Sequence, residues 1–495
     1  MKKKLLFITL LTSSVLFSQI QIGADIGGET AKDEFGTSVS VSSDGSIVAI
    51  GGPNNDGNST HSGHVRIFKN NNGVWEQIGA DIDGETSSED FGKSVHISSD
   101  GSIVAIGAPN KDANGANSGH VGIYQNNSGT WTLIGSIDGA TAGDKFGAQL
   151  SLSSDGSVVA IGAPNNDVNG SDAGHVRVYK NNSGTWTLIG SIDGATAGDK
   201  FGISISLSSD GNIVAVAATD TDGNSVNSSH VRVYQNNSGT WTQIGADIAT
   251  KLAGNFTASG KSLSSLSLSS DGTIVAIGSV QDNAGVTEVD YVSIYRNNNG
   301  AWEQIGADIG GEETRDQFGR SVSLSADGNT VAIGGPWNTP SPGNTHSGHV
   351  RIYKNNNGVW TQMGPDIDGR VTNNLLGASV SLSSDGNTVA IGGPDNNGFD
   401  NHVGHVRVFN LSEVLAIDTF VTSNTKVYPN PANKTVTIQL KANLQLKNAR
   451  MYNTIGELIL TTTDQTIAVK NLAKGLYYIT IVTDEGKTVK KLIIN

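Results

Sequence analysis

The sequence predicts an all-β protein: a seven-bladed β-propeller closed by its own N-terminal strand, followed by a small C-terminal β-sandwich. Three observations carry that expectation. The tetrapeptide Ser-Ser-Asp-Gly, or Ser-Ala-Asp-Gly, recurs with its Asp at 44, 100, 155, 210, 271, 327 and 385, and such a regular period signals a repeat architecture. Each period holds four short β-type runs separated by turn residues, which is the content of one blade. A strand led by Trp75, Trp131, Trp186, Trp241, Trp302 and Trp360 occurs six times, and residues 21–26, ahead of the first unit, repeat residues 77–82. Six outer strands and one from the N-terminus make seven.

The chain opens with Lys2, Lys3 and Lys4, then the apolar run 5–11 and residues 15–17. That is the layout of an export signal, expected to end near Ser18 and Gln19, and it is too short to cross a bilayer stably. Residues 1–18 are therefore expected to be a signal peptide, and no transmembrane span is expected in the mature protein.

Residues 19–410 form the repeat body. A full unit runs Phe146-Gly147, a strand at 150–152, the Ser153-Ser154-Asp155-Gly156 hairpin, a strand at 158–161 and Gly162-Ala163-Pro164. After a polar loop come Gly174-His175-Val176-Arg177-Val178-Tyr179, a Ser-Gly turn and the Trp186 strand. Asp-Gly and Asn-Gly pairs supply the positive φ of tight hairpins. Runs such as 47–50 are apolar at successive positions, as in strands covered on both faces. One blade cannot bury both faces alone, so the units must stack.

A linker at 411–426 leads to the tail at 427–495, whose alternating strands are expected at 435–440, 449–452, 457–461, 476–482 and 490–494. Charge marks the same division. The whole chain has 32 basic and 46 acidic residues, a net −14, but the tail is +5 and residues 19–426 carry 20 basic against 42 acidic. An acidic body repels phosphate, which argues against a nucleic-acid partner. With no cysteine in 495 residues, a disulfide scaffold, a thiol enzyme and a zinc finger are excluded.

Phe91-Gly92 with Gly107-Ala108-Pro109, and Phe146-Gly147 with Gly162-Ala163-Pro164, resemble the FG-GAP repeats of integrin α-subunit-type propellers, over roughly residues 19–410. A WD-repeat or TolB type of propeller is the architectural alternative. Family blades often hold calcium between the two motifs. Here that place is taken by the four-residue hairpin, which offers one carboxylate where calcium takes 6–8 oxygens. The expectation is no cofactor and no metal, with Asp220 and Asp222 the nearest approach to a calcium loop. The tail resembles the C-terminal sorting domain of the bacterial type IX secretion system. Tyr428, Pro429, Asn430, Pro431, Gly456, Lys474, Gly475, Tyr477, Lys491 and Asn495 carry that likeness. It implies passage through the periplasm to the outer-membrane translocon, which with its tail-processing machinery is the expected partner. The protein would end secreted or on the outer cell surface.

Chemistry is harder to place. The loops after Gly-Ala-Pro and after the Trp strand are expected on one face, where Asp33, Glu34, Glu89, Asp90, Asp112, Asp144, Asp199, Asp316 and Asp395 read as a solvated acidic surface. His64, His120, His175, His230, His349 and His405 share one repeat position, which points to a structural role. His61, His346 and His402 add three His-x-x-His pairs that lack a third zinc ligand. Units four to seven depart from the repeat: Ala217-Ala218-Thr219 replaces Gly-Ala-Pro, six extra residues follow Phe256, and Asp290-Tyr291 replaces Gly-His. Trp337, between Pro336 and Pro340, stands outside the repeated Trp position, and Phe399 occupies the matching loop of the next unit. No nucleophile–base set or carboxylate pair stands out. The reading is a non-catalytic binding or adhesion module for a glycan or protein, with Trp337 and Phe399 as contacts. A secreted polysaccharide-acting enzyme is the alternative.

Overall fold

A computed structural model describes residues 19–219, 229–249, 261–281, 289–340, 345–395, 403–411, 419–441, 444–453, 458–484 and 486–495. The leader, Asp220, Asp222, Phe256, Phe399, His402 and Gly456 lie outside them. The protein is all-β, and its two compact units are Gln19–Leu411 and Ser412–Asn495.

Among its described residues the first unit contains seven antiparallel sheets, six of them meanders of consecutive strands. The first sheet runs Ser38–Val41, Ile47–Gly52, His64–Asn71 and Val74–Gln77, with Ile82–Asp83 continuing its outer edge. The second strand of every sheet is its most buried: Val48, Val104, Val159, Val214, Val275, Val331 and Val389 are all without exposure. The seventh sheet has three strands from its own unit, Ser379–Leu382, Thr388–Gly393 and His405–Asn410. Its edge is completed from the chain start: Ile20 and Gln21 pair antiparallel with Asn410 and Phe409, and Ile26 and Gly27 with Val406 and His405.

Three sets of bonds tie each sheet to the next. The backbone N–H of Ser43 donates to Ser99 O, Ser99 to Ser154, Ser154 to Ser209, Ser209 to Ser270, Ser270 to Ala326, Ala326 to Ser384, and Ser384 back to Ser43. One residue further in, Ser40 Oγ accepts Ile97 N–H at 3.0 Å and Ser381 Oγ accepts Val41 N–H at 3.1 Å. At the periphery each outer Trp donates its indole N–H to a carbonyl of the preceding sheet, from Trp75 on Ile22 at 2.8 Å to Trp360 on Ile305 at 2.9 Å. The carbonyl of Met363 occupies the seventh such place. It accepts Gln19 Nε2 at 2.8 Å, and Gln19 stands in the sequence where the Trp would be.

The Phe-Gly and Gly-Ala-Pro pairs have a physical origin here. Gly92 N–H donates to Gly107 O at 3.0 Å within one sheet, while a Cβ on Gly51 of the sheet before would lie 2.1 Å from Gly92 O. Only glycine allows that approach. Phe91, nearly unexposed, bridges the neighbouring sheet at Gly63.

Every Asp-Gly hairpin is built alike. Asp44 Oδ1 accepts Ser46 N–H at 2.9 Å and the Ser42 hydroxyl at 2.8 Å, and equivalent bonds form at Asp100, Asp155, Asp210, Asp271, Asp327 and Asp385. Partial burial pushes each carboxyl up, but the backbone and hydroxyl donors outweigh it and hold all seven below the ordinary value. A folded-state pKa below the unfolded one gives stability that is present above the unfolded pKa, about 3.9. It is lost as pH falls through the folded values. Exposure and screening keep each share below about 1 kcal/mol, but seven act together. The melting temperature should hold from pH 7 to 5 and fall steeply below about pH 4. A flat profile down to pH 2.5 would contradict this.

In the second unit, Thr425–Tyr428, Thr435–Leu440 and Thr466–Ala468 form one sheet. Leu458–Thr462, Leu446–Tyr452, Gly475–Thr483 and Gly486–Ile494 form the other. Val436, Ile438, Met451, Ile479, Ile481 and Leu492 make their shared core. Two expectations shift: Thr425 and Lys426, read as linker, belong to the strand Thr425–Tyr428, in which Thr425 and Val427 face inward, and the last strand begins at Gly486 where the hairpin turns. The short helix Thr419–Asn424 precedes them.

Candidate functional site

The loops after the second strand and those leading into the first strand meet. Asn54 N–H donates to Asp33 O at 3.3 Å, Asn110 to Glu89 at 3.3 Å, Thr219 to Asp199 at 2.7 Å and Trp337 to Asp316 at 3.1 Å. The acidic-surface expectation needs correction at this point. Asp33, Glu89, Asp144, Asp199 and Asp316 are buried; of the nine acids, Asp112 is exposed and Glu34, Asp90 and Asp395 are half-buried. The reason is local capping. Asp33 Oδ2 accepts the N–H groups of Glu29 and Thr30 at 2.9 and 2.8 Å, and Asp199 does the same for Ala195 and Thr196. These carboxylates hold their own loops, and their charge faces backbone donors.

Trp337 departs from this pattern. It stands where the other loops carry Asn54, Asn110 and Asn165, and it is 44% exposed. Pro336 and Asn338 on either side are buried, so the ring projects from an anchored base. His346, from the far limb of the same loop, stacks on it with ring centres 5.3 Å apart and planes 34° apart. Nothing in the residue order marks this pair, because the two residues are nine apart in a loop with no periodicity. The structure gathers other groups than the His-x-x-His pairs: His349 lies with Glu312 and Asp366, and His64 with Glu29 and Asp81.

The repeated histidines are buried at the first position of each third strand. Burial, reinforced by Arg177, lowers His175 to about 4, and burial lowers His405 to about 4. His120 is also lowered by burial, against the opposing pull of Asp138 at 2.7 Å. The His175 and His405 rings are neutral packing groups. His96 is different in place: it replaces a serine in the innermost ring, its Nδ1 accepts Leu152 N–H at 3.2 Å, and burial takes it to about 4. With Ser40, Ser151, Ser206 and Ser267 it lines a central cavity of about 160 Å³. A second, polar groove of about 410 Å³ lies among Thr86, Ser88, Lys111 and Asn117 on the loop side of the second sheet.

In the tail, Asn430 has a defined task. Its Nδ2 donates to Lys491 O at 2.7 Å and its Oδ1 accepts Ile493 N–H at 2.9 Å. Asn495 N–H donates to Ala432 O at 3.0 Å. Tyr477, buried, donates its hydroxyl to Ala473 O at 2.9 Å, whereas Tyr428 is exposed.

Residues 426–495 match the family model of the secretion system C-terminal sorting domain. Among curated proteins no sequence matches this chain. Among solved structures, the chain is similar to a protein from Bacteroides uniformis provisionally described as a 6-phosphogluconolactonase. The two share 14% identity with a TM-score of 0.46, over 68% of this chain and 86% of the other. No helix among the described residues is long and apolar enough to cross a membrane.

Proposed function

Because the tail is a type IX sorting domain, which engages that export machinery and leaves the protein secreted or on the outer cell surface, we propose that the body is its extracellular binding module. In this reading residues 19–411 are a closed seven-bladed propeller of the FG-GAP kind, without catalytic function, that recognises a glycan or a protein through its loop face. The unbroken circuit of Ser43–Ser384 backbone bonds supports the closed ring.

The observation that carries the binding role is Trp337. An indole held out from a proline-flanked, hydrogen-bonded loop is a preorganised stacking surface, since little entropy remains to be lost on contact. Stacked on His346, it offers a flat face suited to a sugar ring or a partner's side chain. Phe399 is proposed as a second contact. A glycoside hydrolase needs two free carboxylates at a set spacing, and the loop acids Asp33, Glu89 and Asp199 are committed to backbone N–H groups. The enzyme reading keeps some support in the raised carboxyls of the loop acids Asp90, Asp144 and Asp316, which burial pushes up as in a general acid.

Trp337→Ala should weaken retention on the cognate glycan or protein at least about tenfold, with a stability change within about 0.5 kcal/mol. A glycan array and a polysaccharide panel, scored for both retention and released product, make the test. Product release by the unaltered chain would establish the enzyme instead, and unchanged retention by the variant would remove Trp337 from the site.

A further inference from the structure

His64 and His349 open equivalent strands of the first and sixth sheets, and each is fully buried at 0% exposure. Neither ring nitrogen of either residue has a hydrogen-bond partner, a costly state for a buried polar group. Each Nδ1 nevertheless faces a carboxylate: 3.5 Å from Asp81 Oδ2 for His64, and 3.3 Å from Asp366 Oδ2 for His349. In the second sheet the equivalent His120 instead closes to 2.7 Å on Asp138, which holds the register place of Asp83, an ordinary hydrogen bond. The longer spacing matches the edge of a tetrahedron whose centre lies about 2.0–2.1 Å from nitrogen and oxygen, as around zinc. Glu29 and Glu312 supply a third donor, and the three candidate ligand atoms of each group lie within 4.8 Å of one another.

We propose that these two groups, Glu29–His64–Asp81 and Glu312–His349–Asp366, are divalent-metal sites of zinc type. Each offers one imidazole and two carboxylates and leaves a fourth position for water or a ligand atom. Nε2 is not the ligand. It faces Gly52 or Gly335, where even an added Cβ would come within 2.8 Å of it, so it keeps the ring proton and leaves the Nδ1 lone pair to the ion. Calcium, which takes 6–8 oxygens, does not suit three donors of which one is nitrogen.

The two sites differ in strength. Arg66 sits 3.3 Å from Glu29 Oε1 and 3.5 Å from Asp81 Oδ1, leaving Asp81 Oδ2 to face His64. It brings one positive charge against Glu29, Asp81 and Asp83, the last paired in register with His64. Arg351 Nε lies 3.0 Å from Asp366 Oδ2, so an ion in the sixth sheet shares that oxygen and is held more weakly. Among the described residues the trio is specific to these sheets. In the second, Glu85 is drawn to Lys111 at 2.7 Å; in the seventh, Arg370 stands at the Glu29 position and reaches Asp25 at 3.2 Å.

The test is equilibrium dialysis of the full chain, stripped with a chelator, against Zn²⁺, with bound metal counted by atomic emission. The unaltered chain should hold two ions of unequal affinity. His64→Ala should remove the tighter, His349→Ala the weaker, and the double variant both. Glu29→Gln, at an exposed position that leaves the core intact, should weaken the first site at least about tenfold. An unaltered chain that retains no zinc, a double variant that retains both ions, or calcium bound in zinc's place would overturn the proposal.

Discussion

A chain lacking residues 19–27 should melt far below the full chain or fail to fold. Those residues close the exposed edge of the seventh sheet by pairing with His405, Val406, Phe409 and Asn410, and an open edge invites pairing with other chains. Ile22 and Ile26 pack among Phe35, Val48, Val406, Val408 and Trp75. Losing two such side chains and the Ile22 carbonyl that satisfies the Trp75 indole costs on the order of 5 kcal/mol. Total stabilities are about 5–15 kcal/mol. Thermal unfolding followed by circular dichroism, with light scattering for aggregation, checks it. An unchanged melting temperature would contradict both the edge role and the proposed closed ring.

Ending the chain at Leu411 should abolish appearance outside the cell while leaving the body folded in the periplasm. The tail is the export address, and the body's core lies within Gln19–Leu411. A finer version is Asn430→Ala. It unties the last strand at Lys491 and Ile493, costs about 1–3 kcal/mol of the tail's stability, and should lower export in proportion. Fractionation with immunoblotting reads both. Normal external levels of the truncated chain would contradict the sorting role.

The β-class, the strand rhythm and the extent of the tail were legible because hairpin glycines and apolar runs repeat. Pairing of residues 20–27 with the end of the body was legible from one omission, the seventh Trp. Side-chain commitments were not. Nothing in the order of residues distinguishes Asp33, which caps its own loop, from Asp112, which is solvated. Nor does it show that Glu29 reaches His64, since those residues come from separate turns brought together by the fold. Trp337 stood out by breaking the repeat, whereas its stacking partner His346 was hidden behind a His-x-x-His spacing that the structure does not use.

Gln19 on Met363 bears on the order of assembly. Residues 20–27 belong to the start of the body and their partners at 405–410 to its end, so a polypeptide emerging N-terminus first carries an unmatched strand until its last repeat arrives. Six units can accrete on their neighbours in sequence, by local contacts. The seventh waits for the returning strand, making that joint a latch: last to shut, and held by a carboxamide where every other joint has an indole. With a carboxamide in place of an indole, it is also where heat or force should first pry the body open.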